Sequence, residues 1–428
     1  MLDIKYIREN SDKVKEAAKN KLIDVNIDRL LEVDAMLRKL NQEADKIKEE
    51  RNSISSSIPK LSDDEKKSAI EHVKELKDEI AKYEEKITPL KKEFDDLMYE
   101  VPGVPLDEVP IGKTDEDNVL FKTVGEIPTF DFPIKDHVDL AEALDIVDIP
   151  RGVKVAGSRS YFLKNEGLLL EMALSRYVID KLVKKGFTPM GVPTLVKEEP
   201  MYGTSYFPSG RDQSYAVTED NLYLVGTAEV SLVSYHSGET FESADELPKL
   251  YCGLSSCYRR EAGTYGKDTR GLYRVHQFTK VEQVILCKAD FDEQYKLHDF
   301  LLNNAEEIMQ ELKIPYRVVK VCTGDMGVGQ VRKHDIEAWM PSRGKYSETH
   351  SCSSFNDFQA RRSNIKYKDE DGTTKYCFSL NNTAIASPRI LIPLLELNQN
   401  PDGSVNIPEV LIPYMGGMTK IMPKNNKK

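Results

Sequence analysis

The sequence has 428 residues, more than one hydrophobic core normally holds, which predicts two domains. Its mean hydropathy is -0.48, and no apolar run approaches the ~18 residues that a membrane span needs, so the composition predicts no membrane partner. The net charge of -11 argues against a generally basic nucleic-acid binder, and any RNA must be held by local patches. Charge within Met1–Lys5 is unlike the apolar core of a signal peptide, which favours a cytoplasmic protein.

The chain contains six cysteines, and their spacing is not that of a metal site. None of them forms a C-x-x-C pair, because the two that lie closest in sequence, Cys252 and Cys257, are five positions apart. This spacing favours the reduced thiols of a cytosolic protein. A zinc site is the alternative.

A long segment from Ile27 to about Glu100 has a heptad pattern. Apolar residues recur alternately three and four positions apart, and Arg51 occupies the one remaining seam position. The two series are Leu30, Val33, Leu37, Leu40, Ala44, Ile47, Ile54 and Ile58, and then Ala69, Val73, Leu76, Ile80, Tyr83, Ile87, Leu90, Phe94 and Leu97. A spacing of about 3.5 residues is typical of a coiled coil rather than of a globular helix face.

The residues between the two series predict a tight turn. Pro59 should end the first helix, and Ser62 with Glu65 three residues later forms a capping box that begins the second. The pattern therefore predicts an antiparallel helical hairpin, an arm whose helices of ~30 residues each reach ~45 Å. Its lysines are matched by acidic residues, so its charge by itself indicates only a solvated face.

Proline and glycine in Val101–Pro105 mark the end of the arm. They predict an N-terminal domain over 1–102, a linker over 103–120 and a second domain over 121–428. Gly112-Lys113-Thr114 in the linker resembles part of a phosphate-binding P-loop, but Asp107 occupies the position that requires glycine. The segment is therefore not expected to be a P-loop.

The second domain opens with a helix followed by a strand. Gly167–Lys185 has apolar residues at helical spacing, and Gly186 lies where a helix-ending glycine belongs. Phe187–Leu195 contains Pro189 and Pro193 and predicts an edge strand, because proline cannot donate to a sheet ladder. The residues by themselves predict a core helix and an edge strand.

The stretch Leu222–Glu229 predicts a strand that delivers Thr227, Ala228 and Glu229 to the start of a helix. A hydroxyl and a carboxylate at this place either cap the helix or face a ligand. The pattern leaves both interpretations open.

Two runs rich in Tyr, Val, Phe and Ile, Leu250–Tyr258 and Val275–Leu286, predict the strands of a hairpin. Gly263, Gly266 and Gly271 lie between them and predict a long loop. A hairpin of this kind often has a polar face in contact with solvent, and that is the simplest interpretation of its charged residues.

The charges of this hairpin also permit a binding site. Arg259, Arg260 and Glu261 follow the first strand, and Glu282 lies among apolar residues of the second. Arginine beside a glycine-rich loop is suited to bidentate phosphate binding, since its planar fork matches two oxygens. A carboxylate within an apolar strand either faces solvent or accepts a cation or hydroxyl in a pocket.

Two further segments near the carboxyl end carry polar residues in strand-like contexts. Tyr346–Ser354 predicts a strand followed by a turn over Asp357–Arg362. Phe378–Arg389 predicts a strand and a turn, and the apolar run Ile390–Leu397 predicts a helix after them. As an alternative for this strand, His350 and Cys352 could act together as metal ligands.

The hairpin motif resembles a known family. YRREAG over 258–263 and RGLYRVHQF over 270–278 are similar to the second signature motif of class II aminoacyl-tRNA synthetases, in its seryl version. The resemblance extends over nearly the whole chain. It implies an α+β fold with an antiparallel β-sheet catalytic domain flanked by helices and an N-terminal coiled-coil arm. Gly167–Leu195 resembles the first class II motif, which implies a homodimer.

The resemblance also implies the activity. Seryl-tRNA synthetases activate L-serine with ATP to seryl-adenylate and pyrophosphate, and then transfer the seryl group to the 3′ end of tRNA(Ser); whether tRNA(Sec) is charged as well is left open. The arm would hold the extra arm of the tRNA. The reaction requires ATP and Mg²⁺, and no residue needs to act as a covalent nucleophile.

The family's residue roles carry over to matching positions in this sequence. The implied catalytic residues are Arg259, Glu261 and Arg389, with Arg259 on the α-phosphate and Arg389 on the γ-phosphate. L-serine would contact Thr227, Ala228, Glu229, Glu282, Asn381 and Thr383. ATP would contact Arg259, Arg260, Glu261, Val275, Glu348, Thr349, His350, Ser351 and Arg389. Glu348 would bind the metal, since Mg²⁺ prefers one or two carboxylates plus phosphate oxygens.

The chain departs from the family pattern at two positions. His350 stands where bacterial members usually have serine. Pro388 replaces a small residue, and a proline is tolerated in the first turn of a helix. Two rival functions remain. A relative that charges a carrier protein would not need the heptads of Leu30–Leu97, and a coiled-coil scaffold would not need the catalytic residues.

Overall fold

The computed structural model describes residues 1–263 and 270–424. Gly266 of the expected hairpin loop lies outside the described residues. Helices are α1 (Ile4–Glu9), α2 (Ser11–Asn20), α3 (Ile27–Ser57), α4 (Asp63–Glu100), α5 (His137–Leu144), α6 (Ile149–Ala156), α7 (Glu166–Lys184), α8 (Glu198–Gly203), α9 (Glu229–Ser234), α10 (Phe291–Glu311), α11 (Phe358–Ser363) and α12 (Leu391–Leu397).

The strands are mostly short outside the central sheet. They are β1 (Val119–Val124), β2 (Val147–Asp148), β3 (Phe162–Leu163), β4 (Thr188–Gly191), β5 (Leu195–Val196), β6 (Ala216–Val217), β7 (Leu222–Leu224), β8 (Thr240–Phe241), β9 (Lys249–Tyr258), β10 (Gln277–Cys287), β11 (Tyr316–Lys320), β12 (Arg332–Met340), β13 (Lys345–Ser354), β14 (Lys366–Lys368), β15 (Thr374–Tyr376), β16 (Phe378–Ser387), β17 (Val405–Asn406) and β18 (Lys420–Ile421).

The chain divides into two compact units. One, here called the arm unit, comprises Leu2–Lys19 and Ile23–Pro102. The other, here called the sheet unit, comprises Met1, Asn20–Leu22 and Gly103–Lys428. Each unit has its own buried core, and each is described by itself.

The arm unit contains the predicted antiparallel coiled coil. Helices α3 and α4 pack along the predicted seam, where Leu30, Val33 and Ala44 are buried on α3 and Leu76 and Ile80 are buried on α4. Ion pairs across the seam show that the helices run in opposite directions, because Arg29 near the start of α3 pairs with Glu93 near the end of α4, and Lys48 pairs with Glu84. The 3.5-residue spacing therefore predicted this element correctly.

The turn of the arm also follows the sequence signals. A short 3-10 turn containing Pro59 separates the helices, and the capping box of Ser62 and Glu65 begins α4. The Ser62 backbone N–H donates to Glu65 Oε2 at 2.9 Å. Pro89 lies inside α4 at a solvent-exposed position, where the carbonyl left without a donor can bind water.

An eight-stranded sheet organises the sheet unit. Its order is β1-β11-β12-β13-β16-β10-β9-β4, and every neighbouring pair is antiparallel except β9 and β4. Ile285 of β10 packs in a core with α7, α10 and α12, whereas its neighbour Val284 packs with α9 and residues of α11. Because side chains alternate along a strand, helices cover both faces of the sheet.

Several element predictions are confirmed. Strands β9 and β10 form the expected hairpin, although β10 begins at Gln277 rather than at Val275. The helix expected over Gly167–Lys185 is α7, and Gly186 after it has φ +93°, a conformation that favours glycine. The α+β fold with an antiparallel sheet and a coiled-coil arm is therefore correct.

Three local predictions are wrong. Phe187–Leu195 is not one edge strand, because only β4 lies at the sheet edge and Leu195 belongs to β5, which pairs with β7. The expected turn over Asp357–Arg362 is largely the helix α11. Pro388 is not in a first helical turn, because α12 begins at Leu391.

No helix within the described residues is long and apolar enough to cross a membrane.

Candidate active site

A cleft opens at the ends of β9, β10, β13 and β16. It is lined by residues of the hairpin motif, of Tyr346–Ser354 and of Phe378–Arg389: Arg259, Glu261, Leu272, Tyr273, Arg274, Val275, Phe278, Lys280, Glu348, Thr349, Thr383, Ala386, Ser387, Pro388 and Arg389. The fold thus brings together seven of the expected site residues, which are Arg259, Glu261, Val275, Glu348, Thr349, Thr383 and Arg389.

Arg389 is held in the cleft by two backbone carbonyls. Its Nε donates to Tyr273 O at 3.1 Å and its Nη1 donates to Glu348 O at 3.0 Å. Its guanidinium also lies 4.4 Å from the centre of the Tyr273 ring. These contacts fix the plane of the guanidinium and leave its charge available to an anion.

Arg259 follows β9 and faces the same cleft. Its backbone N–H donates to His276 O at 2.9 Å, and its guanidinium lies 5.2 Å from the centre of the Phe278 ring. Within residues 1–263 and 270–424, no carboxylate forms an ion pair with Arg259. Arg259, which has no acidic partner among the described residues, and Arg389, whose one acidic contact there is Glu348 at 3.7 Å, therefore converge on one cleft, which suits a polyanion.

The carboxylates of the cleft differ in their partners. Glu261 has φ +53° and accepts from Arg274 Nη1 at 2.5 Å. Partial desolvation in the cleft raises the pKa of Glu348, but the charges of Arg389 and Lys333 lower it more, so the net shift is downward. The Glu348 side chain is 47% exposed and lies 3.7 Å from Arg389 Nη1. Glu348 is therefore an ionised carboxylate within reach of a ligand.

Two irregularities in the sheet aim side chains at the cleft. Between β10 and β16, Val281 pairs with Ile385 and Glu282 pairs with Thr383, so Ala384 has no partner in the register. Between β12 and β13, Ile336 pairs with His350 and Glu337 pairs with Glu348, so Thr349 has no partner in the register. Bulges reorient side chains next to binding sites, and here they flank the cleft on both sides of β16.

A buried acidic pocket lies deeper on the same face of β10. Glu229 and Glu282 are 6% and 2% exposed, and Lys280, at 6%, forms an ion pair with Glu282. The Thr227 hydroxyl donates to Glu282 Oε2 at 3.3 Å and accepts from the Glu229 backbone N–H at 3.3 Å. The bond from the Glu229 N–H agrees with the capping interpretation of Thr227, and its contact with a ligand stays a prediction.

The charge of this pocket is unbalanced. Burial, followed by the charge of Glu282, raises the pKa of Glu229 to about 7, although a hydrogen bond from Gln359 and the charge of Lys280 lower it. Two carboxylates against one lysine leave a net negative charge when both are ionised. A ligand ammonium would offset that charge, which is why the pocket suits a primary amine.

A glycine of β9 allows this pocket to form. Gly253 pairs with Glu282, and a Cβ at Gly253 would lie 2.9 Å from Ala228 Cβ and 3.0 Å from a methyl group of Leu232. The absent side chain lets the start of α9 approach the sheet. Ala228 is fully buried there and packs in an apolar cluster rather than on the cleft.

Asn381 and Thr383 lie two positions apart on β16 and so share a face of the sheet. Asn381 is 6% exposed, and its Nδ2 has no hydrogen-bond partner among the described residues. A buried amide donor without a protein partner needs an acceptor from water or from a ligand.

Three other expected residues lie elsewhere. Arg260 donates to Asp212 O at 3.1 Å and lines a separate pocket with Arg211 and Tyr215. His350 is 1% exposed, and burial lowers its pKa to about 4, so it is neutral. Neither His350 nor Ser351 is among the residues that line the cleft.

Three further residues, Tyr273, Phe278 and Lys280, line the cleft although no sequence motif predicted them there. Phe278, Lys280 and Glu282 lie at alternate positions of β10 and so share one face of the strand. Since Glu282 was a predicted site residue, the alternation of side chains would have indicated Lys280 and Phe278 as well. Tyr273 lies outside the strand, and its contacts with Arg343 and Arg389 arise only in the folded chain.

No group of three or more His, Cys, Asp or Glu side chains in the described parts of the chain is arranged to hold a metal ion by itself. All six cysteines are unpaired and buried. His350 and Cys352 thus lie in no such group.

Two family models match the chain. Residues 1–105 match the seryl-tRNA synthetase N-terminal domain. Residues 215–398 match the class II core domain of tRNA synthetases for G, H, P, S and T. The second match contains every expected site residue.

Curated relatives match along their whole length. The serine--tRNA ligase of Deinococcus radiodurans is 45% identical over 417 residues, which are 97% of this chain and 98% of that protein. The serine--tRNA ligase of Dictyoglomus thermophilum is 44% identical over 428 residues, 99% of this chain and 100% of that protein.

Solved structures match as well. The seryl-tRNA synthetase of Pyrococcus horikoshii, in complex with ATP, has a TM-score of 0.89 and 38% identity over 99% of this chain and 100% of that one. Prolyl-tRNA synthetase of Giardia lamblia has a TM-score of 0.56 at 16% identity, covering 64% of this chain and 55% of that one, and shows only the shared fold. With both family models and full-length relatives above 40% identity, the chain belongs to the seryl-tRNA synthetase family.

Proposed function

We propose that the cleft and the acidic pocket together carry out the two steps of a serine--tRNA ligase on ATP, L-serine and tRNA(Ser). The observation that carries this proposal is the adjacency of a cationic cleft and a buried anionic pocket on one face of the sheet. ATP phosphates fit the first, and the ammonium of an amino acid fits the second. An ATP-dependent ligase requires both in one site.

In the first step, an oxygen of the serine carboxylate attacks the α-phosphorus of ATP. The new bond is an acyl phosphate, and the bond from the α-phosphorus to the bridging oxygen breaks and releases pyrophosphate. Arg259 stabilises charge on the α-phosphate, and Arg389 binds the γ-phosphate that leaves with pyrophosphate. Glu261 and Val275 contact the nucleotide, and no covalent enzyme intermediate is needed.

The residues of the cleft fit Mg²⁺ bound together with ATP. Glu348 is an ionised, accessible carboxylate in the cleft, and Mg²⁺ prefers one or two carboxylates plus phosphate oxygens. When bound, the ion would neutralise phosphate charge. The family assignments to Thr349, His350, Ser351 and Arg260 remain part of the proposal, although only Thr349 lines the cleft.

Serine occupies the acidic pocket. Glu229 and Thr227 face its ammonium, together with the backbone at Ala228, while Glu282 and Thr383 bond its hydroxyl. Asn381 supplies a further donor from the same face. A site that bonds a hydroxyl rejects an analogue lacking it, such as alanine, because the buried polar groups are then left unpaired.

In the second step, a hydroxyl of the terminal ribose of tRNA attacks the carbonyl of seryl-adenylate. The ester forms and AMP leaves. We assign tRNA binding to residues 1–102, in which α3 and α4 form the arm, and catalysis to 121–428, with 103–120 as a linker. The arm's acidic balance means that a few lysines and shape complementarity must hold the RNA. A cytoplasmic location agrees with six unpaired cysteines.

A homodimer is also part of the proposal. The outer face of α7 exposes Leu168, Leu169 and Met172, which are 44%, 49% and 59% exposed. Leu168 shares a groove with Val155 and Phe162, which are also exposed. A contiguous exposed apolar surface of this kind is typical of a protein interface.

Pyrophosphate exchange tests the assignment of Arg259. Replacing it in Arg259→Ala should lower serine-dependent ATP–pyrophosphate exchange by at least about a hundredfold, because stabilisation of the transferring phosphoryl group is lost. The thermal unfolding temperature should stay at that of the parent. Exchange within a few fold of the parent would show that Arg259 has another role. When pyrophosphate exchange by the parent protein is assayed with each amino acid in turn, serine should stimulate it.

The serine pocket is tested at Glu282. We expect Glu282→Gln to raise the KM for serine by more than about tenfold, because the pocket loses half of its negative charge, with the KM for ATP within about twofold. Glu306→Gln is the matched control, since Glu306 is a buried carboxylate bonded to Tyr316 away from the site. An unchanged KM for serine would make Glu282 a structural residue.

The arm should be dispensable for the first step only. Replacing Ile27–Glu100 with a short linker should leave serine-dependent exchange largely intact and abolish charging of tRNA(Ser). The ends of the removed hairpin lie close together, since Arg29 bonds Glu93. Charging that survives the replacement would refute the assignment of tRNA binding to the arm.

The dimer is tested by sedimentation. Leu169→Glu should convert a dimer into a species of the mass of one 48.6 kDa chain, because the added charge cannot be buried in an apolar interface. Ile70→Glu is the control, since Ile70 is 57% exposed on α4 of the arm unit and is no part of α7. A Leu169→Glu protein that sediments like the parent contradicts this interface.

A further inference from the structure

The carboxylate of Glu229 has two hydrogen-bond donors, and both are neutral. Gln359 Nε2 donates to Oε1 at 2.7 Å, and the Tyr206 hydroxyl donates to Oε2 at 3.2 Å. In the part of the chain that the structure describes, no lysine, arginine or histidine forms an ion pair with Glu229. The charge of this buried carboxylate is therefore supported by hydrogen bonds and is not neutralised by a direct partner.

The orientation of Gln359 is itself fixed. Its side chain is buried on α11, and the Ser379 hydroxyl of β16 donates to its Oε1 at 2.7 Å. Ser379 is fully buried. The Ser379 hydroxyl occupies the amide oxygen, so the amide nitrogen points to Glu229. This orientation suits an ionised carboxylate, because such a carboxylate can only accept hydrogen bonds. The chain Ser379–Gln359–Glu229 thus joins the sheet to the pocket.

A neutral donor has a specific advantage here. An arginine or lysine at position 359 would stabilise the Glu229 carboxylate but also repel a ligand ammonium. An amide supports the ionised form without adding positive charge. The titratable groups that face Glu229 are Glu282 and Lys280 of β10 and Tyr206, and of these Glu282 raises the pKa of Glu229 while Lys280 and Tyr206 lower it.

We propose that Gln359, anchored by Ser379, is a positioning residue that orients the carboxylate of Glu229 and keeps it ionised for the amine of the amino-acid substrate. This inference rests on the proposed function of the acidic pocket. Gln359 acts only through Glu229, because its own donor group is already used. It thereby adds a residue of α11 to the determinants of amino-acid binding.

The proposal has a definite pH dependence. Burial and Glu282 already raise the pKa of Glu229 to about 7, and the bond from Gln359 opposes that rise. Removing the bond raises the pKa further, so that more Glu229 is protonated at neutral pH. Since the protonated carboxyl has no charge for an ammonium, the loss in serine binding should grow as pH falls and shrink as pH rises.

The experiment compares Gln359→Met with the parent in serine-dependent pyrophosphate exchange between about pH 6 and about pH 8.5. We expect the KM for serine at neutral pH to rise by about tenfold or more, the size of one lost hydrogen bond to a charged group. The KM for ATP should stay within about twofold. The acidic limb of kcat/KM for serine should move to higher pH.

Two further variants make the comparison specific. Gln294→Met removes another buried amide, which bonds Asn356 outside the cleft, and should leave the pH profile unchanged. Ser379→Ala keeps Gln359 but removes its anchor, and should shift the profile in the same direction by a smaller amount. It also serves if Gln359→Met does not fold.

The outcomes separate this proposal from the function on which it rests. Equal profiles for Gln359→Met and Gln294→Met, or equal rises in both KM values without a pH shift, would overturn the role of Gln359. A parent protein without serine-dependent exchange would overturn the proposed function. An unchanged KM for serine in Glu229→Gln would overturn the role of Glu229 itself.

Discussion

The register of β10 between β9 and β16 is the constraint on which the site depends. Glu282 pairs with Gly253 on one side and with Thr383 on the other. Gly253 leaves space for the start of α9, and the bulge at Ala384 turns Thr383 toward the cleft. A shift of one residue would send Glu282 to the opposite face, because side chains alternate along a strand.

The same register also separates the positive and negative charges of the site. Arg259 and Arg389 lie at the strand ends, where the cleft is open, whereas Glu229, the first residue of α9, and Glu282 of β10 are buried, where water is largely excluded. Charges act more strongly on one another in a buried site than in solvent. The sheet therefore places a cleft with two arginines beside a pocket with two buried carboxylates.

The arm follows different physics from the sheet. Its helices are long, and only Leu76, Ile80 and Met98 of α4 are buried. The arm is stabilised by a narrow apolar seam between the two helices. It consists of helices, so the backbone pairing between strands that orders the sheet plays no part in it. Because every contact of the seam is between the same two helices, the arm could be described from its repeat before any tertiary contact was known.

The sequence by itself determined the arm, its capping box, the β9–β10 hairpin and α7, because each depends on spacing or on residues close in the chain. The family resemblance added predicted site residues, including Arg259, Glu282 and Arg389. Only the tertiary structure decided that Arg260 and His350 lie off the cleft, that Lys280 pairs with Glu282, and that Gln359 bonds Glu229. These contacts join residues from separate elements, so no local pattern specifies them.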